Sequence, residues 1–525
     1  MFSSIDQKSP RPTQLDTLDR LAIGYIALPL IIFLAGWLVW WAALPLLACT
    51  GYALRAILAP LPASAPAPGS RPPITRLQLS VAVGVGCAWT VCAGAGHLLY
   101  ANADWFVRDA VLHDLVASRW PVGYGTLDGQ ETVLRAPVAF YLPAALVGKW
   151  GGLLAADAAM GLWTALGASL FLLQVLSLIP PRGKLVALAV AVVVLFSGFD
   201  ILGNILDIGP RFVQHWNIAK HLEWWAGSYQ YSSMTTQLFW VPNHALASWL
   251  VIGLMSRNMR FSSVDALLPI VLAAAALWSP LSAVGLLPFA AWKAYGSVVR
   301  ERRFELLDPR VWLPALLVGG VTASYLILDS GRIAKGMTVS NSGAVDLSLG
   351  LLRQAQFFLL EAGFIGFAIL VIHRSSEVVI ALVVLALLPL AYLGPGNDIV
   401  MRASIPSLAV LTIGACLALA RDWPGRNVRR YKIWLGCMLA IGAVTPIQEF
   451  ARDAVLPSWP INTQATLIGV NCGGYPPHYV AGLGTQTITH LMKAPHRLTV
   501  EPILSRRSCA NPAVELMWRG GLLND

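Results

Sequence analysis

The chain has 525 residues, 56% of them hydrophobic and only 12% charged, whereas roughly a quarter of a typical soluble domain is charged. That balance excludes an ordinary soluble enzyme and points to an all-α polytopic membrane protein. The net charge of +10 does not imply a nucleic-acid partner, because the basic residues fall in short loops between apolar runs, the bias expected of cytoplasmic loops.

Residues 1–20 are polar and lack the apolar core and small-residue cleavage site of a signal peptide, so they read as a cytoplasmic tail. Apolar runs follow, each long enough to cross a hydrocarbon core of about 30 Å as helix. About 13 spans are predicted, at 21–38, 40–58, 77–100, 153–179, 185–203, 241–256, 263–279, 281–298, 311–328, 350–372, 376–393, 403–420 and 433–449. The first two form an accessory hairpin. The Pro/Ala-rich stretch APLPASAPAPGSRPP at 59–73 reads as a linker, so tail, hairpin and linker occupy 1–76 and the main body 77–449. Between the third and fourth spans, PVAFYLPAALVGKW at 137–150 is too short to cross and predicts an interfacial or re-entrant helix. Beyond 449 the apolar runs stop, and 450–525 reads as a small outer C-terminal domain.

The loops support an alternating topology with the N-terminus cytoplasmic and the C-terminus outside. Those on the predicted cytoplasmic side are short and basic: Arg71 and Arg76; Arg182 and Lys184; Arg257 and Arg260; Arg300, Arg302 and Arg303; Arg421, Arg426, Arg429, Arg430 and Lys432. The predicted outer loops, 101–152, 204–240, 329–349 and 394–402, are mostly longer and richer in aromatics. They also hold the carboxylates and histidines, so any chemistry is expected outside.

Three stretches carry it. In ANADWFVRDAVLHDL a helix over 104–116 sets Asp104 against Arg108 and Asp109 against His113 at i,i+4. The plain alternative is a solvated helix with surface ion pairs, which contribute little. The next outer loop offers Asp200 and Asp207, then His215, His221 and Glu223 among tryptophans; their spacing matches no common zinc pattern. Those tryptophans also suit an interfacial aromatic belt. The broken turn GPGNDIVMRAS presents Asp398 and Arg402, and arginine there either snorkels or grips phosphate with its planar fork. Glu361 and Arg353 lie in or beside a span, where an acid is a functional candidate by default; Lys335 and His244 complete the candidate set.

The order of features from 104 to 184 resembles the integral-membrane GT-C glycosyltransferases, which use polyprenyl-phosphate-linked sugars. The parts are Asp104 opening the first outer loop, a helix to SRWPV (118–122), the polar turn YGTLDGQETVLR (124–135), a P-x-x-x-Y segment within APVAFYLPAALVGKWG (136–151), and a span ending at PPRGK (180–184). The resemblance implies a first-loop aspartate near the acceptor and a second acid in the next outer loop, the place of Asp200 and Asp207. Asp104-Trp105 stands where the family commonly has Asp-Glu, which leaves the base open between Asp104 and Asp109.

The implied reaction is an inverting sugar transfer from a polyprenyl phosphate to an envelope glycan or lipid acceptor, at the outer face of a bacterial-type plasma membrane. A carboxylate would deprotonate the acceptor hydroxyl. The departing phosphate needs cationic or metal stabilisation, from Arg402, Arg353, Arg108 or Lys335; the sequence requires no cofactor, although the chemistry admits a divalent metal. Membrane lipid is a further partner. A transporter or flippase and a non-catalytic polyprenyl-lipid scaffold are the competing readings. Transport fits less well, since no internal repeat is present and the acids lie in loops. Of seven cysteines, five sit in apolar runs as core thiols, and Cys472 and Cys509 are predicted to form a disulfide in the oxidising compartment.

Overall fold

The computed structural model describes residues 15–58, 73–259, 263–338, 344–394, 396–471, 473–484 and 486–498, without the side chains of residues 210, 213, 215 and 344–347. The chain is mostly helical, with short strands confined to loop regions. Among the described residues, eight helical stretches are long and apolar enough to cross a membrane: Thr17–Trp37, Trp40–Leu58, Leu142–Leu176, Gly183–Ile208, Phe304–Leu326, Ser348–Ile372, Asp398–Ala420 and Val428–Val455. The other predicted spans form the shorter helices Arg76–Cys92, Pro242–Arg257, Ser263–Trp278, Pro280–Tyr295 and Ser376–Leu387.

The first two helices, α1 (Thr17–Trp37) and α2 (Trp40–Leu58), turn at Leu38 and Val39. α1 is not accessory. It packs against α5 (Leu142–Leu176) and the Pro242–Arg257 and Ser263–Trp278 helices. Tyr25 stacks on Trp163 at 4.0 Å and donates its hydroxyl to the Trp163 carbonyl, while the Trp278 indole donates to the Ile26 carbonyl. Hydrophobicity marks such a helix as apolar but does not distinguish neighbouring helices from lipid. The linker at 59–73 lies almost wholly outside the described residues.

Contacts between helix ends define a short-loop side and a long-loop side. On the short-loop side Arg257 pairs with Asp19 at 3.0 Å and also with Asp16, and Gln78 of α3 (Arg76–Cys92) donates to the Leu176 carbonyl at 2.7 Å. On the long-loop side lie α4 (Ala103–Ala117), formed where the sequence predicts a juxtamembrane helix, and the strands β1 (Val122–Gly123), β2 (Thr126–Leu127) and β3 (Gln130–Leu134). Asp128 and Gly129, both at positive φ, make the two-residue turn between β2 and β3. The interfacial segment at 137–150 becomes the first part of α5, set apart at Gly152, whose φ of 79° only glycine adopts without strain.

The C-terminal stretch is stitched onto this side. Val480–Gly482 pairs antiparallel with β3, His496–Arg497 pairs parallel with β1, and the Lys493 amide donates to the Trp37 carbonyl at 2.8 Å. Its described part shares sheets with the first long loop. Several predicted spans are interrupted. The 185–203 run breaks into α6 (Gly183–Leu195) and α7 (Asp200–Ile208), because the Phe196 carbonyl accepts from the Met234 amide and the Phe199 amide donates to the Leu360 carbonyl. Irregular backbone at this depth is stable only where the protein itself satisfies the freed groups. The 350–372 run carries a wider helical turn at Leu359–Gly363, and the 376–393 run ends in a strand, Ala391–Leu393, paired with Lys335–Met337.

Candidate functional site

α4 is fixed at its start. The Asn102 side chain caps the Asp104 amide at 3.0 Å while its own amide group, together with the Trp105 indole, donates to the Phe239 carbonyl at 2.7 and 3.0 Å. Residues 104 and 108 then lie one turn apart, and Arg108 Nη2 meets Asp104 Oδ2 at 3.1 Å. The partners differ sharply in exposure: 6% of the Arg108 side chain is accessible against 47% of Asp104. Among the described residues Arg108 Nε and Nη1 are buried with no hydrogen-bond partner. Burial works against the charge, but the facing Asp104 carboxylate and the Tyr141 and Tyr479 hydroxyls outweigh it, so the guanidinium is held above its usual pKa.

Arg402 reaches the same region from another loop. Asn397, at φ 54°, opens the short helix Asp398–Ala403, and Asp398 Oδ1 meets Arg402 Nη2 at 2.9 Å. Close packing holds this helix in place: a Cβ on Gly285 would lie 2.2 Å from the Ala403 carbonyl oxygen, and the Ser282 hydroxyl donates to the Arg402 carbonyl. Arg402 Nε is again buried and unpartnered. Tyr479 lies within electrostatic reach of Arg108, Arg402, Asp104 and Asp398 together, and His478 of Arg402 and Asp398. His244, which contacts the Ser279 hydroxyl at 2.9 Å, faces both arginines. Tyr141, the tyrosine of the P-x-x-x-Y segment, is buried beside Arg108 with a hydroxyl that has no partner. Burial holds the Tyr479 phenol above its usual pKa, whereas burial and then Arg402 push the His478 imidazole down. Two guanidinium groups with open donors, two neutral hydroxyls and a half-exposed carboxylate thus converge. That set is suited to a phosphate and to a proton acceptor beside it.

Asp109 does not pair with His113. Asp109 Oδ2 lies 2.9 Å from His97 Nε2, a charge contact rather than an aligned hydrogen bond. His97 Nδ1 reaches the Trp459 carbonyl at 3.1 Å. His113 instead meets Asp114, whose buried carboxylate also accepts from the Tyr124 hydroxyl and the Leu467 amide. Helical spacing permitted the Asp109–His113 pair, but Asp109 is met by His97 from the preceding loop and His113 by its neighbour Asp114. Burial raises the Asp109 carboxyl, and His97 and Arg108 only partly reverse this.

The second loop builds a separate cluster. His221 bridges Glu449 at 3.1 Å and Glu223 at 3.5 Å; Glu449 also accepts two bonds from Arg452 Nη1, at 2.8 and 2.9 Å, and one from the Trp240 indole. Glu223 takes the Ser233 amide and the Gln230 side chain, and Arg452 donates to carbonyls at 218 to 220. Burial acts against protonation, yet the two carboxylates dominate and raise His221 to about 9. Asp200 belongs here rather than beside Asp104. It is buried, accepts from the Ser197 and Thr445 hydroxyls, and neighbours Glu361, which takes the Trp225 indole at 2.8 Å. Tryptophans expected as a membrane belt therefore hold buried acids.

Other candidates fall outside both groups. Asp207 is exposed at the end of α7, and Arg353 and Lys335 are exposed and join neither cluster among the described residues. The side chain of His215 and the predicted Cys472–Cys509 bridge lie outside the described residues. Among the described residues no group of three or more His, Cys, Asp or Glu side chains is placed to hold a metal ion. Tyr141 lay within a quoted motif, but His97, His478 and Tyr479 had no signal in the sequence beyond residue type. Comparisons with family models, curated proteins and solved structures found no match to this chain.

Proposed function

We propose that the protein transfers a sugar from a polyprenyl-phosphate-linked donor to a glycan or lipid acceptor on the long-loop side, taken as the outer face, with all thirteen predicted helices as spans. The observation that carries this reading is the meeting of Arg108 and Arg402, each with an unpartnered buried donor, beside the half-exposed carboxylate of Asp104. The acceptor oxygen attacks the anomeric carbon, the bond from that carbon to the phosphate oxygen breaks, and Asp104 takes the acceptor proton. Arg108 and Arg402 hold the departing phosphate, with Tyr141 and Tyr479 as neutral donors. Asp104 is preferred to Asp109 as the base because Asp109 is buried against His97, whereas Asp104 is half-exposed beside Arg108 and open to an acceptor.

The test uses purified protein, a polyprenyl-phosphate sugar and detection of released polyprenyl phosphate. Asp104→Asn keeps the shape and removes the base, so turnover falls by about 10²–10⁴ while thermal stability hardly changes. Parental turnover in folded Asp104→Asn refutes the assignment of the base. No release of polyprenyl phosphate from any donor sugar refutes the reaction itself.

A further inference from the structure

A second concave site lies on the opposite side of the helices. A cavity of about 760 Å³ opens between the end of α5, the end of the Pro242–Arg257 helix and the start of the Ser376–Leu387 helix. One wall is apolar, made by Val410, Ile413 and Leu417 of a membrane-length helix. Its rim carries Arg300, Arg374 and Arg421 against the single acid Glu377; Arg257 also lines it, but is already paired with Asp16 and Asp19.

The three rim arginines retain donors. Arg374 makes no ion pair or hydrogen bond among the described residues. Among the described residues Arg300 is held only by stacking over Trp292, 4.7 Å from the ring centre, and Tyr295. Arg421 uses Nε and Nη2 on the Leu178 carbonyl, which leaves Nη1 open. The Ser376–Leu387 helix points its N-terminus here, capped by Ser375, which also donates to Glu377 at 2.6 Å. Beside it, His373 stacks on Trp423 at 4.3 Å with Nδ1 buried and unpartnered. Isolated exposed arginines would be an ordinary solvated face. Here they surround a cavity whose depth runs along an apolar helix, where a phosphate and an acyl chain are satisfied together.

We infer that this cavity binds the headgroup of an anionic phospholipid, its phosphate between Arg300, Arg374 and Arg421 and a chain against Val410, Ile413 and Leu417. The site is independent of the transfer reaction, since it shares no residue with the Arg108 and Arg402 cluster.

Native mass spectrometry of the full-length protein in detergent, titrated with phosphatidylglycerol or phosphatidylcholine, tests it. Phosphatidylglycerol binds the more tightly, and Arg374→Gln with Arg421→Gln weakens it by about fivefold or more, the effect of one to two surface charges. Arg429→Gln, on the same side but off the cavity, leaves binding unchanged, and Arg374→Lys with Arg421→Lys restores most of the loss. Excess inorganic phosphate does not displace the lipid. Equal binding of the two lipids, or an equal loss in Arg429→Gln, overturns the site. Displacement by inorganic phosphate assigns the cavity to a soluble phosphate compound and overturns the lipid.

Discussion

The two polar clusters on the long-loop side use similar residues to different ends. Around His221, every side-chain nitrogen and oxygen of His221, Glu223, Glu449 and Arg452 has a partner within the chain. Around Arg108 and Arg402, three guanidinium nitrogens and the Tyr141 hydroxyl have none. A saturated buried network locks loops in one arrangement, whereas leaving charged donors unpaired carries a desolvation penalty that a bound anion would offset. The contrast separates a saturated cluster from one with open donors, the cluster to which binding is proposed, although both are rich in charge.

Three measurements sharpen or break that contrast. The largest effect is expected from Glu449→Ala, which strands buried His221 and Arg452 and should lower stability by about 3–5 kcal/mol, read as a drop in thermal midpoint. A midpoint within a degree or two of the parent would mean that the network is not structural. Arg108→Met reverses the balance. Asp104 is half-exposed and easily hydrated, so stability should fall by no more than about 1 kcal/mol, while transfer falls by about 10²–10³. A large stability loss with normal transfer would exchange the two roles.

The third measurement concerns pH. His221 is held at about 9 in the folded protein against roughly 6.5 unfolded. A raised pKa stabilises fully below the unfolded value and is lost as pH rises through the folded one. Stability should therefore decline between about pH 6.5 and 9, by an amount on the order of 3 kcal/mol. His221→Gln, less stable at neutral pH, should remove most of that slope; an unchanged slope would assign it to another group.

Parts of the Arg108 and Arg402 cluster were legible in advance for physical reasons. The pairing of Asp104 with Arg108 follows from helical spacing, and the turn at 394–398 from its glycine, proline and asparagine. Spacing misled at Asp109 and His113, since it proposes partners on one helix and cannot weigh them against His97 or Asp114. Composition also could not show what the tryptophans bond: the Trp225 and Trp240 indoles donate to Glu361 and Glu449.

The amino-acid sequence by itself determined that this is a helical membrane protein with its longer loops rich in aromatics and short loops rich in arginine, because apolar length and charge placement are read along the chain. Only the tertiary structure decided that Asp104 and Arg402 both lie within reach of Tyr479 while Asp200 neighbours Glu361, that α1 is buried among other helices, and that residues 480–482 and 496–497 extend the first loop's strands. These depend on which distant groups satisfy one another's hydrogen bonds away from water, and that competition is settled between elements far apart in the chain.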